Sequence, residues 1–205
     1  MNPLLAHMER EAGLFRSAVV VELGAALGIA SAPHLEEVES LTIVEPSDAV
    51  IENLSAGLPP GALGFRIRKG EISHLAFIPM DSVDICLCAL GTSTSADSEQ
   101  LFRQIGRIIR PEGVFVFAMA HPLITLRAFS RLPADHSYFE SVIIDPSILE
   151  LGFEVHGRLL IKPISKVAKE LKRAGLVIDA LAEVSVQEGE YASTPDFWVI
   201  RCRKG

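Results

Sequence analysis

Apolar residues along this chain follow two alternating rhythms, short unbroken runs and repeats at helical spacing. Leu4, Leu5, Met8 and Ala12 recur every three or four positions between Pro3 and Gly13, which predicts a short helix covering one face of a sheet. Ala18-Val19-Val20-Val21 begins an unbroken β-branched run, the pattern of a strand buried on both faces, and predicts a strand over residues 19–23. Residues 27–38 read as a short helix disturbed by Pro33. A second strand is expected over 41–45, and Pro46-Ser47-Asp48 then opens a helix carrying Ala49, Val50, Ile51 and Leu54.

The alternation continues downstream. Leu58-Pro59-Pro60-Gly61 marks a turn, residues 64–69 a shorter strand, and residues 83–90 an apolar strand running into the polar loop Gly91-Thr92-Ser93-Thr94-Ser95. Leu101, Phe102, Ile105, Ile108 and Ile109 define a helix over 98–109, with Arg107 and Arg110 at its negative end. Pro111-Glu112-Gly113 is expected to turn into an apolar strand over 114–119 that ends at His121-Pro122. Between 124 and 163 the regularity weakens, and Arg127, Arg131, His136, Tyr138 and His156 lie among short apolar pieces, as in an insertion lining a substrate site. A helix over 164–174 capped by Gly175, a strand over 176–184 and a last strand over 197–202 complete the chain. Five strand-like units alternating with helices define an α/β, doubly wound sheet, and 205 residues suit one domain.

Composition narrows the function classes. The 49% hydrophobic content fits a sheet buried on both faces. A formal charge of −7 argues against a general nucleic-acid binder, which needs a basic field to displace counterions. The longest apolar segments fall well short of the ~20 residues that span a bilayer. The first ten residues lack a basic start and a long apolar stretch, so a cytoplasmic protein is expected. Cys86 and Cys88 share one strand face and Cys202 is distant, which points to buried thiols and no metal site.

Several separated pieces carry a family resemblance, in order. Val20-Val21-Glu22-Leu23-Gly24 with Gly28, then Val44-Glu45-Pro46-Ser47, Gly70-Glu71-Ile72 with Ser82-Val83-Asp84, Gly106-Arg107-Ile108-Ile109-Arg110-Pro111-Glu112-Gly113, and Ala174-Gly175-Leu176 with Glu183 resemble the motifs of class I S-adenosylmethionine-dependent methyltransferases. The likeness is greatest to the small-molecule type related to ubiquinone-biosynthesis enzymes. It implies a Rossmann-like, mostly parallel seven-stranded sheet with an antiparallel last strand, and S-adenosyl-L-methionine as cofactor.

The resemblance also implies roles. Glu22, Gly24, Ala26 and Gly28 would form the turn beside the methionine portion, where glycine lets backbone approach a ligand closely. Glu45 would accept hydrogen bonds from the ribose hydroxyls, with Pro46 following it. Glu71 and Ile72 would flank the adenine, and Leu90 and Gly91 would line the site near the sulfonium. His121, at a strand end, is the candidate base, because an imidazole titrates near neutrality. His136 and Tyr138 are candidate substrate contacts in the insertion. A small organic acceptor is expected as substrate, and a homodimer is the commonest assembly.

Ala26 stands where the family usually has glycine, and Leu27 where it often has a small hydroxyl residue. Both add bulk to the turn. A methyltransferase-like accessory or scaffold protein without transfer activity is therefore the alternative. A nicotinamide-dependent dehydrogenase also has a glycine-rich loop after its first strand, but the Arg110 to Gly113 turn and the Ala174 to Leu176 segment favour the methyltransferase resemblance.

Overall fold

A computed structural model describes residues 2–57, 64–90, 97–126, 137–148, 158–186 and 194–205. Seven strands form one sheet: β1 (Val19–Leu23), β2 (Ser40–Glu45), β3 (Phe65–Lys69), β4 (Val83–Ala89), β5 (Ile109–Ala120), β8 (Leu176–Val184) and β9 (Phe197–Lys204). Their spatial order is β3-β2-β1-β4-β5-β9-β8. β1 pairs in parallel with β2 and β4, as do β2 with β3 and β4 with β5, whereas β9 runs antiparallel between β5 and β8. β6 (Val142–Ile144) and β7 (Leu159–Ile161) make a separate antiparallel pair.

The helices are α1 (Pro3–Ala12), α2 (Asp48–Gly57), α3 (Ser98–Ile108) and α4 (Ile164–Arg173). Asn2 caps α1 by accepting the Leu4 amide at 2.9 Å, and Gly13, at φ 85°, ends it. The buried side of α1 is Leu4, Leu5, Met8 and Ala12, the residues whose spacing predicted it. It packs with Val20, Ile43, Ile85, Leu87, Val116 and Val199 on one face of the sheet, where β6 and β7 add Ile144, Leu159 and Ile161. α3 and α4 bury Leu101, Phe102, Ile105, Val167 and Leu171 against the other face, together with Cys86, Cys88, Phe115, Phe117 and Cys202. Burial pushes the Cys86 thiol well up and that of Cys202 to about 12, which leaves these cysteines inert core residues.

Two expectations are corrected. Residues 27–38 do not form an α-helix; only Ala32–His34 makes a short 3₁₀ turn, because Pro33 cannot donate to a helical ladder. Pro111-Glu112-Gly113 is not a separate turn before the strand: β5 begins at Ile109, and the three residues form an irregularity inside it. There Glu112 takes φ 68°, and the β4–β5 register jumps from Val83↔Ile109 to Ile85↔Val114. The turn at 58–61 and the loop at 91–95 lie outside the described residues.

The strand order positions a ligand. After β1 the chain moves outward to β2 and β3, then returns to β4 on the other side of β1. The segment after β1 packs on the α1 face through Ala25, Ile29 and Ala30, whereas α3, the helix that follows β4, packs on the other face. Such a reversal opens a crevice at the carboxyl ends of the strands.

Candidate functional site

Gly24 stands at the end of β1 with φ 74°, a conformation that favours glycine, and its amide donates to Val44 O at 2.9 Å. A Cβ placed there would meet nothing within 4 Å, so the bare backbone faces open space. Gly28, at φ 102°, closes the turn, and a Cβ on it would lie 3.3 Å from Leu5 Cδ1 of α1. Ala26 is exposed, whereas Leu27 is partly buried against the core on the α1 side. Thus Leu27 directs its added bulk into the core.

Two buried carboxylates hold this turn. Glu45, at the end of β2, accepts the Ala25 amide on Oε2 at 2.7 Å and the Ser47 amide on Oε1 at 2.9 Å. Its backbone carbonyl accepts the Gly70 amide at 3.2 Å, which draws the end of β3 alongside. Each carboxylate oxygen has a second lone pair, so acceptor capacity remains for a ligand hydroxyl. Glu22 is wholly buried and accepts the Ala30 amide at 2.6 Å, the Ser31 amide at 3.3 Å and the Ser31 hydroxyl at 2.6 Å. Burial raises its pKa to about 7 against the opposing pull of these three donors.

The remaining candidates arrange themselves around that crevice. Pro46 is exposed, Ser47 caps α2 by accepting the Val50 amide at 3.4 Å, and Asp48 pairs with Lys69. Glu71 is exposed and Ile72 buried, directly after the end of β3. Leu90 follows β4 at φ 59°, a strained value for a leucine, with its amide donating to Ala118 O at 3.2 Å. Gly91 and His136 lie outside the described residues, as do Arg127, Arg131 and His156.

His121 lies just beyond β5, with its side chain almost wholly buried. Its Nδ1 accepts the Leu123 amide at 3.0 Å, so the proton resides on Nε2, which donates to Glu183 Oε1 at 3.0 Å. The ring also packs edge-on against Trp198 at 4.5 Å. Burial lowers the His121 pKa and the Glu183 contact opposes that shift. Both ring nitrogens are engaged, and proton abstraction by Nδ1 requires release of the Leu123 amide. Tyr138 is 49% exposed, with its ring edge-on to that of Phe139, which is 76% exposed. No described contact links Tyr138 to the strand ends.

Sequence reasoning missed three elements of this region. Ser31 and Ala30 satisfy Glu22; an acid inside an apolar strand signals that donors must exist but not where. Glu183 and Trp198 fix His121 from strands distant in sequence. Lys162, after β7, binds Ser98 Oγ at 2.5 Å and Glu170 at 2.7 and 2.9 Å, tying the insertion to α3 and α4.

The open face of Gly24 and the acidic end of β2 meet at the carboxyl ends of the parallel strands, beside the reversal in strand order. Residues 21–117 match the family model of the methyltransferase domain. Solved structures of the same fold include an S-adenosylmethionine-dependent methyltransferase from Mesorhizobium loti, with 19% identity, 96% of this chain and 95% of that one covered, and a TM-score of 0.76. One from Methanosarcina mazei gives 14%, 100%, 98% and 0.68. The 1,6-didemethyltoxoflavin-N1-methyltransferase of Burkholderia thailandensis, solved with 1,6-didemethyltoxoflavin and S-adenosylhomocysteine, gives 16%, 99%, 79% and 0.66. No curated protein sequence matches significantly. The family-model match spans just under half of the chain, and the solved structures share its fold over almost the whole of it. Among the described residues no helix is long and apolar enough to cross a membrane, and no cluster of metal-ligating side chains occurs.

Proposed function

We propose that this enzyme transfers a methyl group from S-adenosylmethionine to a small organic acceptor held between the strand ends and the insertion at 124–163. The observation that carries the reading is the open face of Gly24 beside the Glu45 carboxylate. Gly24 and the turn to Gly28 would receive the methionine portion and Glu45 the ribose hydroxyls. Ile72 offers an apolar wall for the adenine, with the Glu71 carboxylate near its amine, and Leu90 bounds the sulfonium side.

The cofactor supplies an electrophilic methyl group on a good leaving group, so alignment of the acceptor contributes much of the rate. His121 fits that task best as a positioning residue. It joins β5, β8 and the turn at Pro122–Leu126, the floor from which the insertion departs. It acts as a base only for an acceptor that displaces the Leu123 amide.

A panel of small hydroxyl, amine and activated-carbon compounds, incubated with enzyme and cofactor labelled in the methyl group, tests the reading. Transfer to at least one class, abolished by Gly24→Val, supports it. Cofactor binding without transfer to any class supports the accessory alternative.

A further inference from the structure

The stretch from Ala25 to Val38 follows the cofactor turn, and it has no helical ladder of its own. Single turns link Gly28 to Ala25, Ala32 to Ile29, His34 to Ser31, and Glu37 and Val38 to His34. Side chains from elsewhere hold it down. Glu45 of β2 grips Ala25, and Glu22 of β1 grips Ala30 and Ser31. Phe15 stacks on the His34 ring at 4.3 Å, while His34 Nε2 lies 2.8 Å from Glu9 of α1 and its Nδ1 3.7 Å from Glu37.

Glu22 is the grip that sits in the dry interior. From this side of the sheet it meets Ala30, Ser31 and the apolar core; from β4 the titratable Cys86 feels its charge, with Cys88 beyond. Lifting the segment would expose the carboxylate to water.

We propose that the segment 25–38 is a proton-linked clasp on the cofactor turn, in which closing the clasp over Glu22 takes up a proton. The sign follows from solvation. In the closed state burial holds the Glu22 pKa near 7, and in an opened, hydrated state it returns to the ordinary carboxylate range. The closed state therefore binds more protons, so closure is favoured at low pH and weakens as pH rises to about 7, above which it levels. Because the clasp contains Ala25 and Gly28 of the cofactor turn, cofactor affinity follows its closure; this last link rests on the function proposed above.

Hydrogen exchange of the amides in 25–38, corrected for the intrinsic pH dependence of exchange, tests the clasp between pH 5.5 and 8.5. The opening constant of the native protein should rise roughly tenfold or more by pH 7.5 and then level. Glu22→Gln should give a flat profile. Ser31→Ala removes a donor that favours the ionised carboxylate and should move the plateau to higher pH, which keeps the test decisive where Glu22→Gln fails to fold. A flat native profile, a Glu22→Gln profile that keeps the slope, or an unmoved Ser31→Ala plateau overturns the proposal. The Kd of S-adenosylhomocysteine should weaken over the same range in the native protein. Binding that does not vary with pH overturns the link to the cofactor. An absence of binding at every pH instead overturns the cofactor site itself, and the exchange profile still decides the clasp.

Discussion

The Glu45 carboxylate holds the Ala25 amide at 2.7 Å, so the acid at the end of β2 is also the strut of the turn after β1. Its other oxygen receives the Ser47 amide that begins the approach to α2. One side chain thus fixes both walls of the crevice before any ligand arrives. Glu45→Gln keeps one acceptor oxygen but turns an NH₂ group toward one of these two donors. The expected loss is about 1–3 kcal/mol in unfolding free energy, measurable by urea titration.

Gly106 sets the distance between the helices on the α3 side. A Cβ there would sit 2.1 Å from Ala174 O at the end of α4, an impossible contact with backbone. Gly106→Ala should therefore cost about 3 kcal/mol or more, seen as a fall of roughly 6–12 °C in Tm. An unchanged Tm would mean that α3 and α4 do not approach in this way.

Much of this was readable from sequence, and the misses have physical causes. Buried strands announced themselves through unbroken apolar runs, and α1, α3 and α4 through spacing, with Gly13 and Gly175 ending α1 and α4. The helix expected over 27–38 failed because its apolar spacing is local, whereas Pro33 and the pull of Glu22 on Ser31 decide the backbone. The Arg110 to Gly113 piece was recognised, but its absorption into β5 depends on pairing with β4, which sequence does not display. The placement of Gly24 and Glu45 at strand ends was legible from the apolar runs that precede them. The surroundings of His121 were not, since Glu183 lies 62 positions away and Leu123 acts through its backbone.

Lys162 and Glu170 form an ion pair with little exposure, closed by the Ser98 hydroxyl. Lys162→Met leaves the Glu170 carboxylate without its cation and should cost roughly 2–4 kcal/mol. Adding Glu170→Leu should restore much of that loss, because two apolar side chains remove the stranded charge. A double-mutant cycle in urea measures the coupling; additive losses would show that the pair does not anchor the insertion.

His121 should remain neutral, with its proton on Nε2, at pH values where an ordinary histidine is half charged. Its folded pKa is depressed, so the unfolded chain takes up the proton more readily, and this group weakens the fold as pH falls through the ordinary histidine range. Glu183→Gln removes the charge that opposes the depression and should lower the His121 midpoint further. Nitrogen-15 NMR of the imidazole reads both tautomer and midpoint. A proton on Nδ1 would contradict the Leu123 contact.

The central claim is that the turn from Gly24 to Gly28, held by Glu45, receives S-adenosylmethionine. Calorimetric titration of the cofactor into the native protein and into Glu45→Ala tests it most directly. The account predicts saturable binding by the native chain, and affinity about 10- to 100-fold lower once the charged acceptor is removed. No binding by the native protein, or equal affinity in Glu45→Ala, would contradict it.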